Sequence, residues 1–362
     1  MKRIRILVVD DSLTVRKRIA ESLSALPDFE VVAEAMDGKQ AIEACQRLRP
    51  DAITLDMMMP VMTGLAATEY IMAHCPTPIL VVSSSFNRGE VFKTYDALAA
   101  GAVDVLEKPA DDAAGAEWER QLADRLRLIS RIKVITHPRG RLAHLAQLHS
   151  APAERESRST VPALRRGGCE IVAMGASTGG PGAVVDILNT LPRDFPLPIL
   201  AVIHLSPTFG EQFAEWLDGL SAFSVEFARD GDPLPTPGSC RVVLAPPDRH
   251  LTVQQGRLRL TREAERHSCR PSVDVFFESL AREVGPRCAS VLLTGMGRDG
   301  AEGLLALRRA GAVTLAQDEA SSVVFGMPRE AIRLNAAQQI LPLNKIAGAL
   351  ALLAQPLMPP LR

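Results

Sequence analysis

No uncharged apolar run of about 18 residues or more occurs in the 362 residues, so no segment has the length and apolarity of a membrane-spanning helix. A dominant sign of charge is missing too. Lys and Arg number 41 against 42 Asp and Glu, and the formal net charge of −1 gives no global bias toward nucleic acid or an acidic membrane surface. Six cysteines are present (Cys45, Cys75, Cys169, Cys240, Cys269 and Cys288), but never in C-x-x-C spacing, which argues against structural zinc. Each lies in or near an apolar stretch, and buried free thiols in a reducing cytoplasm are the expectation. No repeat of about 20 to 50 residues is visible. The opening MKRIRILVVDD meets acids at once and has no small-residue cleavage site, so it reads as a strand rather than a signal peptide. A cytoplasmic location is the corresponding expectation.

Apolar residues make up 47% of the chain and charged residues 23%, ordinary values for a folded protein, and the length suits two domains. Up to about residue 108, β-rich runs alternate with amphipathic stretches. Strands are expected at Ile4 to Val9, Glu30 to Glu34, Ala52 to Leu55, Ile79 to Val82 and Val103 to Leu106. Helix-like segments such as Leu13 to Ala25, Gly38 to Leu48 and Glu90 to Ala99 lie between them. Repeated β-α units imply a parallel sheet covered on both faces, because parallel neighbours need a crossover.

Glu117 to Val134 reads as a helix that closes this domain or begins the connection. From about 137 to 168 the strand pattern vanishes into Ser, Ala, Arg, Pro and Gly, the composition of a linker. Between Arg120 and Arg166 eleven Lys or Arg face three Asp or Glu. That excess is a solvated charge run or a docking element for an acidic partner.

A second alternation begins at Glu170. Strands are expected at Ile171 to Met174, Ile199 to Ile203, Val242 to Ala245, Ser290 to Thr294 and Ala312 to Ala316. Helices are expected at Pro181 to Asn189, Gly210 to Leu220, Val273 to Val284 and Asp299 to Ala310, and a hairpin at Gln254 to Leu260 turns on Gly256. The fold class is therefore α/β, with two doubly wound parallel-sheet domains.

Ligands of such sheets bind beyond the carboxyl ends of the strands. In the first domain those positions hold Asp10, Asp11, Asp56, Ser83 and Lys108. Gathered carboxylates repel unless a cation is present, and an all-oxygen site of this kind suits Mg²⁺. Singly each residue is an ordinary cap or surface charge, and the conjunction carries the meaning. VVDDS, LDMMMPVMTG, VVSS and EKP resemble, in order and spacing, the receiver domain of response regulators, a flavodoxin-like fold. The resemblance implies Asp56 as phospho-acceptor, with Mg²⁺ on Asp11, Asp56 and the Met58 carbonyl and with Asp10 acting through water. It further implies Ser83 and Lys108 as the residues that sense the phosphoryl group, and a cis bond before Pro109. Phosphorylation there can rearrange the surface that an output domain meets.

In the second domain Ser177 (in GASTGGP), His204 (after ILAVI) and Asp299 (in LTGMGRDG) stand just beyond strands. A serine becomes a competent nucleophile when a histidine takes its proton and a carboxylate orients the imidazole. Glycine-rich turns can present N–H groups to an oxyanion. G-x-S-x-G alone is a weak signal, and His250 and His267 compete as bases and Asp248 and Asp274 as orienters; position at a strand end favours His204 and Asp299. The order Ser, His, Asp counts against the α/β-hydrolases.

GASTGGP, His204, PSVDV, LTGMGRDG and VVFGMPREA together resemble the catalytic domain of the chemotaxis methylesterase, a larger Rossmann-like domain. The resemblance implies Ser177 as nucleophile, His204 as base and Asp299 as orienter, with the N–H groups of Thr178 and Met296 as oxyanion donors. It implies glutamate methyl esters and glutamines on chemoreceptor cytoplasmic helices as substrates, a chemotaxis-type histidine kinase as phosphodonor, and no cofactor for ester hydrolysis. Two positions depart from the family pattern: Ile203-His204-Leu205-Ser206-Pro207, and Arg298 where Asn is common. The expected organisation is a receiver at 1–125, a helix and basic flexible linker at 126–168, and a methylesterase domain at 169–355. A receiver joined to a DNA-binding output would need a basic helix-turn-helix, which a large, nearly neutral α/β domain does not supply. A non-catalytic interaction module is the remaining rival, and the intact triad residues argue against it.

Overall fold

Ile4–Val9 forms the first strand, β1, and its last four residues are closed off from solvent, as befits a parallel strand covered by helices on both faces. The computed structural model describes residues 3–84, 88–109, 115–132, 134, 168–205 and 207–354. The chain divides into two compact units, 1–153 and 154–362. The linker expected at 137–168 lies, but for its last residue, outside the described residues.

After β1 the first unit runs α1 (Leu13–Ser24), β2 (Phe29–Ala35), α2 (Gly38–Leu48), β3 (Ala52–Leu55), α3 (Gly64–His74), β4 (Ile79–Ser83), α4 (Arg88–Ala99), β5 (Asp104–Glu107) and α5 (Gly115–Ile129). Ser12, Asp37 and Thr63 start α1, α2 and α3 by accepting from the N–H groups of Val15, Gln40 and Ala66, caps worth about 1 kcal/mol each. The strands lie parallel in the order β2-β1-β3-β4-β5. That order reverses between β1 and β3, which opens a crevice at their carboxyl ends. Helix α5 buries Trp118, Leu122, Leu126 and Ile129 and contacts α1, β4 and β5; of the two roles its sequence allows, it closes this unit.

The second unit runs β6 (Ile171–Ala176), α6 (Gly180–Thr190), β7 (Ile199–Ile203), α7 (Pro207–Gly210), α8 (Phe213–Leu220), β8 (Ser224–Phe227), β9 (Arg241–Leu244), β10 (His250–Gln254) and β11 (Arg257–Thr261). It continues through α9 (Val273–Glu283), a 3₁₀ turn at Gly285–Arg287, β12 (Cys288–Leu292), α10 (Ala301–Arg309), β13 (Val313–Gln317), α11 (Met327–Arg333), β14 (Gln339–Leu341) and α12 (Leu343–Leu353). Seven parallel strands take the order β14-β13-β12-β6-β7-β9-β8. The chain winds outward from β6 through β7, then returns to place β12 on the other flank of β6.

Several details differ from expectation, among them α11 and α12, which had no expected counterpart. Edge strands β8 and β14 are additional: β8 mixes Ser224 and Glu226 with its apolar residues and so shows no apolar run, and β14 has three residues. The helix expected at 210–220 is two pieces, α7 and α8. Asp299 lies outside α10, because Gly300 before the helix adopts φ 88°. The bond before Pro109 is trans; among the described residues the cis X-Pro bond is Arg270–Pro271. Trans is the commoner isomer by about 0.5–1 kcal/mol, and Lys108 reaches its partners with it. No helix among the described residues is long and apolar enough to cross a membrane.

Helix α9 carries Phe276, Phe277 and Leu280 into a core shared with Leu304 and Leu307 of α10 and with Ile171, Leu200 and Leu292 of the sheet. The two helices meet closely at Gly303, where a Cβ would fall 2.7 Å from that of Phe277 and 2.9 Å from the Asp274 carbonyl oxygen. Its N–H also donates to Asp274 Oδ1 at 2.6 Å. Gly303→Ala must push α10 away from α9, and a loss of about 1–3 kcal/mol is expected. Urea unfolding of the full chain, followed by the transition of the second unit, measures it.

Candidate active site

Strands β6 and β7 pair in parallel with Ala176 opposite Ile203, so Ser177 and His204 leave the sheet side by side. The His204 N–H donates to the Ala176 carbonyl and the Ser177 N–H to the Thr294 carbonyl, both at 3.0 Å. The second of these bonds draws in the loop after β12, on the opposite flank of β6. That loop packs so closely that a Cβ on Gly295 would lie 2.8 Å from the Ser177 Cβ. At the end of the loop stands Asp299, 2% exposed, with Oδ2 at 3.0 Å from His204 Nε2.

A buried carboxylate needs donors, and the amino end of α9 supplies them. Asp299 Oδ1 accepts from the Ser272 hydroxyl at 2.7 Å and the Asp274 N–H at 3.1 Å, and Oδ2 accepts from the Val273 N–H at 2.7 Å. Burial alone would raise the Asp299 carboxyl, yet the hydrogen bonds and charge of His204 and the donors of Ser272 and Asp274 hold it below its ordinary value. Ser272 also caps α9 through the Val275 N–H. The backbone of PSVDV, one of the motifs that carry the family resemblance, thus grips Asp299, a role that no spacing along the chain signals.

With Asp299 accepting at Nε2, the proton of a neutral imidazole sits there and Nδ1 is the basic nitrogen. Burial would lower the His204 pKa, but Asp299 and Cys269 outweigh it and raise it to about 9. The Cys269 Sγ lies 3.7 Å from Nδ1. Ser177 is half-buried and makes no hydrogen bond to the imidazole among the described residues. The Thr178 and Met296 N–H groups have no protein acceptor among the described residues. Met296 is 52% exposed, which leaves its turn open to an incoming acyl group.

The competing residues sit elsewhere. His250 is fully buried, accepting from the Ser272 N–H at 3.2 Å and holding Nε2 3.1 Å from the Ala264 carbonyl. Asp248 pairs with Arg270. His267 and Asp274 form a second pair at 3.2 Å, and Arg298 Nε donates to His267 Nδ1 at 3.2 Å, which gives the departure at 298 a structural partner. Asp274 is raised to about 6, first by burial and then by the nearby Asp299 charge.

In the first unit the carboxylate oxygens of Asp10, Asp11 and Asp56 lie within 4.8 Å of one another. Lys108 Nζ stands 2.8 Å from Asp10 and 3.0 Å from Asp56. Burial is the leading cause that raises Asp10 and takes Asp56 to about 6, with Lys108 opposing both shifts. Ser83 ends β4, fully buried, and its carbonyl accepts from the Lys108 N–H at 3.0 Å. Met58 follows Asp56 by two residues on the same loop. Three carboxylates against one ammonium leave uncompensated negative charge on oxygen ligands, a donor set that fits Mg²⁺.

The six thiols are all free, but only Cys45, Cys75 and Cys288 are buried, so burial of all six is not what the structure has. Cys169, Cys240 and Cys269 sit at a strand entrance or on turns rather than inside the sheet.

The sequence model of the family described as CheB methylesterase matches residues 172–350, and that of the response regulator receiver domain matches residues 6–117. A protein-glutamate methylesterase/protein-glutamine glutaminase of Anaeromyxobacter dehalogenans is 45% identical over 347 residues, 96% of either chain. One from Nitrosospira multiformis is 44% identical over 355 residues, again 96% of either chain. The chain belongs to the CheB methylesterase family. A crystal structure of the Thermotoga maritima CheB methylesterase catalytic domain is 35% identical and spans 51% of this chain and 97% of its own, with a TM-score of 0.47.

For a CheB-type site the neutral His204 is the form that can accept a proton. With its pKa near 9, only about one imidazole in a hundred is neutral at pH 7. The ratio kcat/KM for ester hydrolysis is expected to rise with pH and level off above about 9, and Cys269→Ala, which removes one raising group, should move the inflection down. Stability has the opposite sense. The charged His204–Asp299 pair contributes fully below about 6.5, and the contribution is lost as pH rises through about 9. A pH profile of initial rates, paired with melting temperatures, reads both.

Proposed function

We propose that the protein is a phosphorylation-activated serine esterase that hydrolyses glutamate methyl esters, and deamidates glutamines, on the cytoplasmic helices of chemoreceptors. The observation that carries this reading is the His204–Asp299 pair beside Ser177, with the carboxylate anchored at the amino end of a helix.

In this reading Ser177 Oγ attacks the ester carbonyl while His204 Nδ1 takes its proton, and Asp299 stabilises the imidazolium that forms. The tetrahedral oxyanion lies between the N–H groups of Thr178 and Met296, donors of a kind worth about 10²–10³ in rate each. Collapse breaks the C–O bond, and His204 returns the proton to the departing methanol. Water then enters, gives a proton to Nδ1 and attacks the acyl-serine; the bond to Ser177 Oγ breaks, Nδ1 returns the proton to that oxygen, and the glutamate is released. A glutamine follows the same course with ammonia leaving. Ester hydrolysis in this scheme uses no metal.

Asp56 is the phospho-acceptor in this reading, and a chemotaxis-type histidine kinase is its donor. Asp11, Asp56 and the Met58 carbonyl would hold Mg²⁺, with Asp10 acting through water; the ion would neutralise charge on the phosphoryl oxygens. Lys108 pairs with the phosphoryl group and Ser83 senses it.

The experiment follows methanol release from methylated receptor membranes, with and without a small-molecule phosphodonor plus Mg²⁺. Ser177→Ala should lower the rate by at least about a thousandfold. Asp56→Asn should keep basal release and lose the phosphodonor stimulation. Absence of release by a folded wild-type chain on matched receptors would favour a non-catalytic interaction module.

A further inference from the structure

The histidine that serves Ser177 has a second nucleophile beside it. Cys269 Sγ lies 3.7 Å from His204 Nδ1, while Asp299 holds the opposite ring nitrogen at 3.0 Å. Cysteine, histidine and carboxylate therefore stand in the order of an activated thiol, with an imidazole between nucleophile and orienter. The thiol is held in place by its own loop. Arg266 and Cys269 exchange N–H and carbonyl bonds at 3.2 and 3.0 Å, and the intervening His267 and Ser268 adopt φ 54° and 58°. Cys269 is not fully buried, unlike Cys45, Cys75 and Cys288. Among the described residues no base lies beside the other two partly exposed thiols: burial raises Cys169, and Cys240 donates to the Phe195 carbonyl at 3.6 Å.

We propose that Cys269 is a modification site for soft electrophiles, activated by the same imidazole that serves Ser177, and that its adduct silences ester hydrolysis by obstructing Nδ1. With an alkyl halide, the neutral form of His204 takes the thiol proton, an S–C bond forms, and the carbon–halogen bond breaks to release halide. With a hydroperoxide, sulfur attacks the outer oxygen and the O–O bond breaks. Sulfur is oxidised to the sulfenic acid, and the peroxide is reduced to an alcohol that carries off the proton. Either adduct adds atoms in the space between Sγ and Nδ1, across the approach of the Ser177 hydroxyl to its base.

The test treats the full chain with iodoacetamide at neutral pH, maps the labelled cysteine peptides by mass against time, and follows ester hydrolysis in parallel. Cys269 should label about tenfold or more faster than Cys169 and Cys240, the gain expected when a neighbouring imidazole holds the thiolate. Activity should fall in step with Cys269 labelling. His204→Gln, checked for an intact unfolding transition, should bring the Cys269 rate down to that of the other two, whereas Ser177→Ala should leave it fast. A Cys269→Ser chain, whatever its starting rate, should keep that rate through treatment. Labelling of Cys269 no faster than Cys169 and Cys240, or full activity in a wild-type chain completely labelled at Cys269, overturns the proposal. The labelling rates need no turnover, so a protein that failed to hydrolyse receptor esters would still decide it.

Discussion

Among the described residues the carboxylate of Asp299 is buried without a lysine or arginine in contact, and it remains ionised because His204 and the first turn of α9 turn donors toward it. A helix start has spare N–H groups and a favourable dipole, and an anion placed there satisfies both. Its fourth donor is His204, so the same set of bonds that makes the charge tolerable also orients the imidazole and chooses which nitrogen is basic. The next carboxylate along, Asp274, takes the Gly303 N–H and brings α10 against α9. Core packing and the reactive group are thus tied through two neighbouring acids at one helix end.

Both units use one geometric device for different chemistry. Each sheet reverses its strand order, and loops from strands on either side of the reversal converge. In the first unit the loops deliver carboxylates and one lysine, a surplus of negative charge that suits a hard cation. In the second they deliver a hydroxyl, an imidazole that can take its proton, and a carboxylate that orients the imidazole. The framework brings distant residues together; the side chains at the crossing decide the reaction.

The loop before α9 shows how a family pattern is elaborated in one chain. Arg298, at the departure from the family pattern, is bound by His267, and His267 is bound by Asp274, so the change has local partners. Cys269 comes from the same loop and meets His204 from the side opposite Asp299. Neither contact alters the strand-end constellation, but both change what surrounds it.

Periodicity and motif order in the sequence made the two α/β units legible, with the residues at each strand end and the hairpin at Gly256, because apolar alternation and turn residues are local properties of the chain. The edge strands β8 and β14 were not legible, because β8 interrupts its apolar residues with Ser224 and Glu226 and β14 has three residues. Position after ILAVI favours His204 over His250 and His267 in the sequence, but only the fold shows which carboxylate or carbonyl each of the three meets. Only the fold could turn Ser272, Val273 and Asp274 toward Asp299, or set Cys269 beside Nδ1 across 65 residues. The sequence by itself determined which reactive groups exist and at which strand ends they emerge. Tertiary structure decided their partners, because hydrogen bonds and proton affinities depend on distances of a few ångströms that no spacing along the chain specifies.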